Sequence, residues 1–330
     1  MQNTQIEPLL DPSKEKFTMF PIDYPAVWQM YKIQQDAYWR AEEIDFSNDA
    51  DDFEKLLPEE QHFIKLILAF FASSDGIVNF NLRKRFMDEI TINEVLTAYG
   101  WQLMMEGVHS EVYSLMLNNI IKDQNEREHL FNAIKSVESI KLMGQWAFKW
   151  IESTESFAHR LVAFACIEGI FFSGAFAAIF WLKKYRSNGK NIMDGLIKSN
   201  QFISRDEGMH VSFACLLYGM LLYKLDQSVI HDMIGEAIII SKIFVKDAIR
   251  CDMIGMNLDL MNEYIEYVGD TILVMMNYEK KYFTENPFPF MESIGLLNKT
   301  SFFESRPTEY PSAYGTGNGA KRSINILSDF

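Results

Sequence analysis

The chain has 330 residues, 48% of them hydrophobic and 14% aromatic, and its 31 Lys+Arg against 45 Asp+Glu leave a net charge of −14. That is enough apolar material for a sizeable core, and it lacks the basic stripe that nucleic-acid backbones or anionic membranes attract, so neither is expected as a partner. Cys166, Cys215 and Cys251 are widely spaced and form no CxxC pair, which argues against a disulfide framework or zinc ribbon and for a reducing, cytoplasmic setting. The first residues, MQNTQIEPLLDPSKEKF, show no basic stretch followed by an apolar one, so no secretory signal is expected.

All nine prolines sit at 8, 12, 21, 25, 58, 287, 289, 307 and 311, leaving Glu59 to Asn286 free to be helical throughout. Apolar residues recur there at helical spacing, as in Phe63, Leu66, Ile67, Phe70 and Phe71, with no sustained strand-type alternation. About eight long helices are expected, near 25–40, 58–87, 92–121, 124–150, 154–185, 191–224, 228–254 and 257–284. The expected organisation is a flexible segment at 1–20, a helical bundle over 21–286 and a flexible Pro-, Gly- and Ser-rich tail over 287–330. By composition the tail's end, with Ile326, Leu327, Asp329 and Phe330, is either a frayed terminus or a docking peptide.

The stretch from Leu161 to Leu182 carries Glu168 as its only charge. By hydropathy alone it can span a membrane, but a carboxylate in its middle third is expensive in lipid, and a core helix surrounded by others is the stronger reading. Glu168 is then a buried acid that must be paired, protonated or bound to a metal.

Four of the six histidines follow a Glu by three residues: Glu59/His62, Glu106/His109, Glu126/His129 and Glu207/His210. Chance alone gives fewer than one such match. An i, i+3 pair lies on one helical face, so its carboxylate and imidazole can meet at one ion. Glu59/His62 and Glu126/His129 fall in polar surroundings and are expected to be solvated first turns. Glu106/His109 and Glu207/His210 lie in apolar stripes, each with a glycine after the Glu that leaves room beside the carboxylate. Asp75 shares a face with Leu68, Phe71, Val78 and Leu82, although SSDG is also turn chemistry.

Two lone acids, Asp75 and Glu168, with two Glu-x-x-His pairs on four helices form the donor set of di-iron and di-manganese carboxylate bundles, with Asp in place of one Glu. Oxygen and imidazole donors suit iron or manganese better than copper or zinc. Tyr113 falls on the stripe of Glu106 and His109, either as a packed core residue or as a group near the metals; Phe172 and Phe176 extend an apolar wall beside it.

The segments FFASSDGIVN, MEGVHSEVYSLML, VAFACIEGIFFSGAFAAIFWLKK, ISRDEGMH, IGMN and NPFPFME resemble the small, radical-generating subunit of class I ribonucleotide reductase in its eukaryotic-type form, from about Phe20 to the last residue. The resemblance implies an all-α, ferritin-like homodimer whose two iron ions per chain react with O2 and oxidise Tyr113 to a radical. It assigns Asp75, Glu106 and His109 to the iron nearer the tyrosine and Glu168, Glu207 and His210 to the other, with Glu106 and Glu207 bridging. It further implies radical transfer through His109, Asp206, Trp39 and Tyr310 to a large subunit that reduces ribonucleotides, docked through Ile326, Asp329 and Phe330.

Two positions depart from that pattern. Phe80 stands where many relatives have Glu, and Leu327 where an acid is common; Tyr314, four residues from Tyr310, offers a second tail tyrosine. Manganese remains the alternative metal, and a ferritin-like iron carrier or a di-iron oxygenase the alternative functions.

Overall fold

The computed structural model describes residues 6–186, 192–249 and 255–291, and among them it contains helices and turns but no strand. Nine helices of ten residues or more run in this order: α1 Pro25–Asp36, α2 Pro58–Asn81, α3 Asn93–Ile120, α4 Glu138–Ile151, α5 Phe157–Cys166, α6 Phe172–Tyr185, α7 Asp194–Met220, α8 Gln227–Ala248 and α9 Leu258–Met275. The all-α architecture expected from the sequence is the one observed. The tail from 292 onward, with Tyr310, Tyr314, Ile326, Leu327, Asp329 and Phe330, and likewise Cys251, lies outside the described residues.

Local chemistry sets the helix starts. At α2, Pro58 takes the first helical position and the Glu60 carboxylate accepts from the Leu57 N–H at 2.9 Å. The same carboxylate meets Arg186 at the end of α6, 2.9 Å away, so one buried acid ties two helix ends. Buried Glu94 in the first turn of α3 accepts from the Asp23 N–H at 2.7 Å and anchors the approach to α1.

Where the boundaries differ from the sequence expectation, a side chain has intervened. The single helix expected over 124–150 is instead Gln124–Phe131, Ala133–Ser136 and α4. Between them the Asn132 amide donates to the Glu128 carbonyl and the Ser136 hydroxyl to the His129 carbonyl, local bonds that compete with the helical ladder. The last helix, expected to reach 284, stops at Met275. Asn277 adopts a left-handed φ of 69°, and the Asp270 carboxylate collects the N–H groups of Lys281, Tyr282 and Phe283. Residues 6–20, expected to be a loose lead-in, are held at several points: Leu9 is fully buried, and Glu7 accepts from the N–H groups of Leu222 and Tyr223.

The apolar stretch from Leu161 to Leu182 is buried at every residue, with α5 and α6 joined by one π-helical turn, Ile167–Phe171, into a continuous core helix. It is a helix wrapped by the others rather than an exposed span. Burying each of its Leu, Ile and Phe side chains stabilises the fold by about 1.5–3 kcal/mol. The wider π turn carries Glu168 and allows close packing behind it: a Cβ at Gly169 would sit 2.7 Å from Ile272 Cδ1.

Helix α7, which carries Glu207 and His210, begins on a buried acid. Asp49 accepts from the N–H groups of Gly195 at 3.0 Å and Leu196 at 2.7 Å, and Met193 before them is left-handed with φ 48°. Replacing Asp49 with Ala strands both donors, so Asp49→Ala should destabilise the metal-free chain by about 2 kcal/mol in urea unfolding. An unchanged midpoint would show that α7 does not depend on this cap.

Candidate metal centre

Four core helices bring six donors to one place. Asp75 comes from α2, Glu106 and His109 from α3, Glu168 from the π turn after α5, and Glu207 and His210 from α7; all are buried. Asp75 lies within continuous helix, so the SSDG turn does not form. Glu106, Glu168, Glu207 and His210 place donor atoms within 4.8 Å of one another, and Asp75, Glu106 and His109 make a second such group that shares Glu106.

Both central glutamates face both imidazoles. Glu106 Oε1 is 3.0 Å from His210 Nδ1 and its Oε2 is 3.4 Å from His109 Nδ1. Glu207 repeats the pattern, with Oε1 3.2 Å from His109 Nδ1 and Oε2 3.1 Å from His210 Nδ1. Despite these distances, both oxygens of Asp75 and of Glu106, Glu168 Oε2, Glu207 Oε1 and His109 Nδ1 make no hydrogen bond. Lone pairs brought together without satisfying one another are what a shared cation would satisfy, and each orphan otherwise costs about 1–3 kcal/mol. Four carboxylates and two imidazoles balance the charge of two divalent ions, so the residues fit a dinuclear centre of a hard or borderline metal.

Electrostatics carry the same strain. Burial pushes Asp75 well above the usual carboxylate range, with the Glu106 charge adding to it, and burial with Glu207 and Glu106 does the same to Glu168. Burial alone would lower the histidines, but Asp206, Glu106 and Glu207 together lift His109 well above its usual value, and Glu207 with Glu106 lifts His210 to about 9.

The surroundings of the two histidines differ. His109 Nε2 faces Asp206 Oδ2 at 3.1 Å, and Trp39 Nε1 donates to the same oxygen at 2.7 Å. An ionised Asp206 makes Nε2 a protonated donor, so that a cation replacing the proton on Nδ1 would meet that nitrogen's lone pair beside Glu106 and Glu207. Burial would raise Asp206, but the His109 bond and the Arg205 charge hold it below the usual carboxylate range. Arg205 donates to Asp206 Oδ1 at 2.9 Å and to the Ala37 carbonyl at 2.6 Å, which pins the chain just after α1. That helix ends at Asp36 rather than near 40, so Trp39 leaves it and lies buried, stacked on His109 with ring centroids 5.9 Å apart.

Tyr113 lies one turn beyond His109 on α3, 2% exposed, and its hydroxyl has no partner. Burial, then Asp75, raises its phenol well above the usual range and keeps the proton on. Phe71 stacks on its ring at 4.6 Å, with Phe172 and Phe176 behind Phe71 at 5.5 and 5.1 Å. The wall expected from Phe172 and Phe176 is therefore present one layer out, and Phe71, four residues before Asp75 on α2, makes the direct contact.

Other sequence readings resolve plainly. His62 faces the Asp247 carbonyl and Glu126 pairs with Lys65, so those two Glu-x-x-His motifs are structural. A Cβ at Gly107 or Gly208 would meet nothing within 4 Å, so these glycines are not what makes room for the carboxylates. Phe80 is on the surface against Phe148, away from the centre. Gln102, which the sequence reading passed over, donates to Glu168; its signal was its place four residues before Glu106 on the donor stripe.

A helical bundle with a buried carboxylate–histidine centre and an aromatic-walled tyrosine defines the class of ferritin-like di-metal proteins. A family model described as ribonucleotide reductase, small chain, matches residues 16–287. The chain is 48% identical over 328 residues to the ribonucleoside-diphosphate reductase small chain of Nicotiana tabacum, covering 98% of each, and 46% identical to subunit M2 of Rattus norvegicus, covering 98% of this chain and 82% of that one. Among solved structures, the Rnr4 homodimer of Saccharomyces cerevisiae superposes with a TM-score of 0.79 at 37% identity, covering 91% of this chain and 93% of that one. The chain belongs to the ribonucleotide reductase small-chain family. It is accordingly the small subunit of an oxidoreductase that works with a large subunit, which decides among the three functions the residues left open.

Removing one lone acid tests the two-position geometry. Glu168→Ala should lower divalent metal uptake by the apoprotein from about two ions per chain to about one. Metal analysis after desalting reads it, and an undiminished count would take Glu168 out of the centre.

Proposed function

We propose that the centre holds two iron ions, with manganese as the alternative, and uses O2 to generate a radical on Tyr113 that the large subunit consumes in reducing ribonucleotides to deoxyribonucleotides. Asp75, Glu106 and His109 would hold the ion nearer Tyr113 and Glu168, Glu207 and His210 the other, with Glu106 and Glu207, each facing both imidazoles, within reach of both. Two ferrous ions held there would supply two of the four electrons that reduce O2 to water, Tyr113 a third together with its hydroxyl proton, and an external reductant the fourth.

The rest falls to the chain's own residues. Tyr113 gives up one electron and its hydroxyl proton, and its buried, unpartnered oxygen has no donor to quench the product. Phe71, Phe172 and Phe176 keep water and reductants away from it. The observation that carries the onward path is the unbroken chain from His109 through Asp206 to Trp39, in which one carboxylate oxygen joins imidazole and indole. Beyond Trp39 the path continues to Tyr310, with Tyr314 as its neighbour, and the tail docks the large subunit through Ile326, Asp329 and Phe330; these and the homodimer rest on the family resemblance, the 287–330 boundary on the change in composition, and the cytoplasmic location on the widely spaced cysteines. A storage protein has no use for an indole tied to the metal ligand through an ionised acid.

Adding Fe(II) and O2 to the apoprotein should give a tyrosyl signal by electron paramagnetic resonance with about two irons per chain. Tyr113→Phe should abolish the signal and leave the iron count unchanged; a persistent signal assigns the radical elsewhere. Two irons without a radical in the unmutated chain point to manganese, which reconstitution with that metal then tests. Trp39→Phe, which keeps an aromatic ring but loses the indole N–H to Asp206, should retain the Tyr113 radical and lose turnover with the large subunit. Full turnover in that variant excludes Trp39 from the path.

A further inference from the structure

Glu168 differs from the other three carboxylates in having a hydrogen-bond donor outside the donor cluster. The Gln102 amide Nε2 donates to Glu168 Oε1 at 3.0 Å, and both side chains are buried. Asp75 and Glu106 have no hydrogen bond on either oxygen, and the bonds of Glu207 stay within the cluster. Gln102 lies on α3 one turn before Glu106, so the helix that carries a bridging acid also carries the group that grips the lone acid opposite. Tyr99, three residues earlier on the same face, has a buried hydroxyl without a partner, and burial together with the Glu168 charge raises its phenol well above the usual range. The wall behind Glu168 is thus polar but uncharged.

A neutral amide that donates to one carboxylate oxygen leaves the charge unchanged and fixes which oxygen faces inward. With Oε1 held, the unpartnered Oε2, 4.0 Å from His210 Nδ1, is the atom turned toward the cluster. Asp75, the corresponding lone acid at the other end, has no such donor and can bind through either oxygen. We propose that Gln102 is a positioning residue that holds Glu168 as a one-oxygen ligand of the second metal position, making the two positions unequal in affinity and geometry. The proposal rests on the metal-centre reading above.

Cobalt(II), which reports its coordination through visible absorption bands and needs no O2, separates the two ideas. The full-length apoprotein should take up two Co(II) in an anaerobic titration. Gln102→Met keeps the length and unbranched shape of the side chain but removes the donor. It should bind the first equivalent as before and the second about 10- to 100-fold more weakly, with altered absorption bands for the second ion. Tyr99→Phe, which removes a hydroxyl that bonds nothing, should leave both equivalents unchanged. An unmutated chain that binds fewer than two Co(II) removes the metal-centre reading and this inference with it. Two equivalents with the same affinities and spectra in Gln102→Met overturn the role of Gln102 alone. So does a weakening of both equivalents together with a lowered melting temperature, which marks a structural loss rather than positioning.

Discussion

The rest of the structure is organised around the need to compensate four carboxylates buried in one core. Asp75, Glu106, Glu168 and Glu207 are each 2% exposed or less. An unpaired buried carboxylate costs several kcal/mol, and four of them rival the 5–15 kcal/mol that holds an ordinary domain together. In the metal-free chain part of this is met by protons: two imidazoles are lifted into their charged form, and Asp75 and Glu168 are pushed toward their neutral one. Two divalent cations would replace those protons and satisfy all six donors at once, which would couple metal affinity to fold stability.

Such a site demands a rigid surround, because a cluster of like charges relaxes outward wherever the walls give. The continuous run from α5 through the π turn to α6 supplies one wall, buried at every residue from Leu161 to Leu182. The Asp49 cap at the start of α7 and the Glu60–Arg186 pair between α2 and α6 fix helix ends at a distance from the centre. Arg205 does the same nearby: its Nη2 donates both to the ionised Asp206 and to the carbonyl after α1, with Nε as a second donor to Asp206, so the turn that presents Trp39 is fastened to the acid that Trp39 bonds.

Much of this was legible in the residues because its signals are periodic. A proline-free stretch, apolar spacing and repeated Glu-x-x-His pairs depend only on helix geometry, and they put Glu106, His109, Glu207, His210 and Tyr113 on inner faces, where the structure buries them; Glu168 stood out instead as the lone charge of an apolar run, and Asp75 was open between an inner face and a turn. The features that escaped depend on individual side-chain hydrogen bonds, whether local or distant, that no periodic pattern records. Asn132 and Ser136 break a helix that carries no Pro or Gly at the break, Asp270 ends another by capping a loop eleven to thirteen residues ahead, and Gln102 reaches Glu168 across 66 positions. The surroundings of Phe71 show the intermediate case: its helical face was evident, but which of three phenylalanines touches Tyr113 is settled only by packing.

The two ends of the centre are supported by different chemistry, and the difference matches the roles proposed for them. At His109 the outer partner is a carboxylate kept ionised by its bonds and by Arg205, a permanent charge that fixes the imidazole tautomer and links it to an indole. A neutral partner there would leave the tautomer free and the link to Trp39 weak. At Glu168 the outer partner is an amide, which orients the ligand without adding charge to a cluster that already holds four acids. A carboxylate at position 102 would add a fifth, and a lysine would compete with the metal for Glu168. On the function proposed, the permanent charge lies on the side that would conduct, and the neutral donor on the side that would only hold its place.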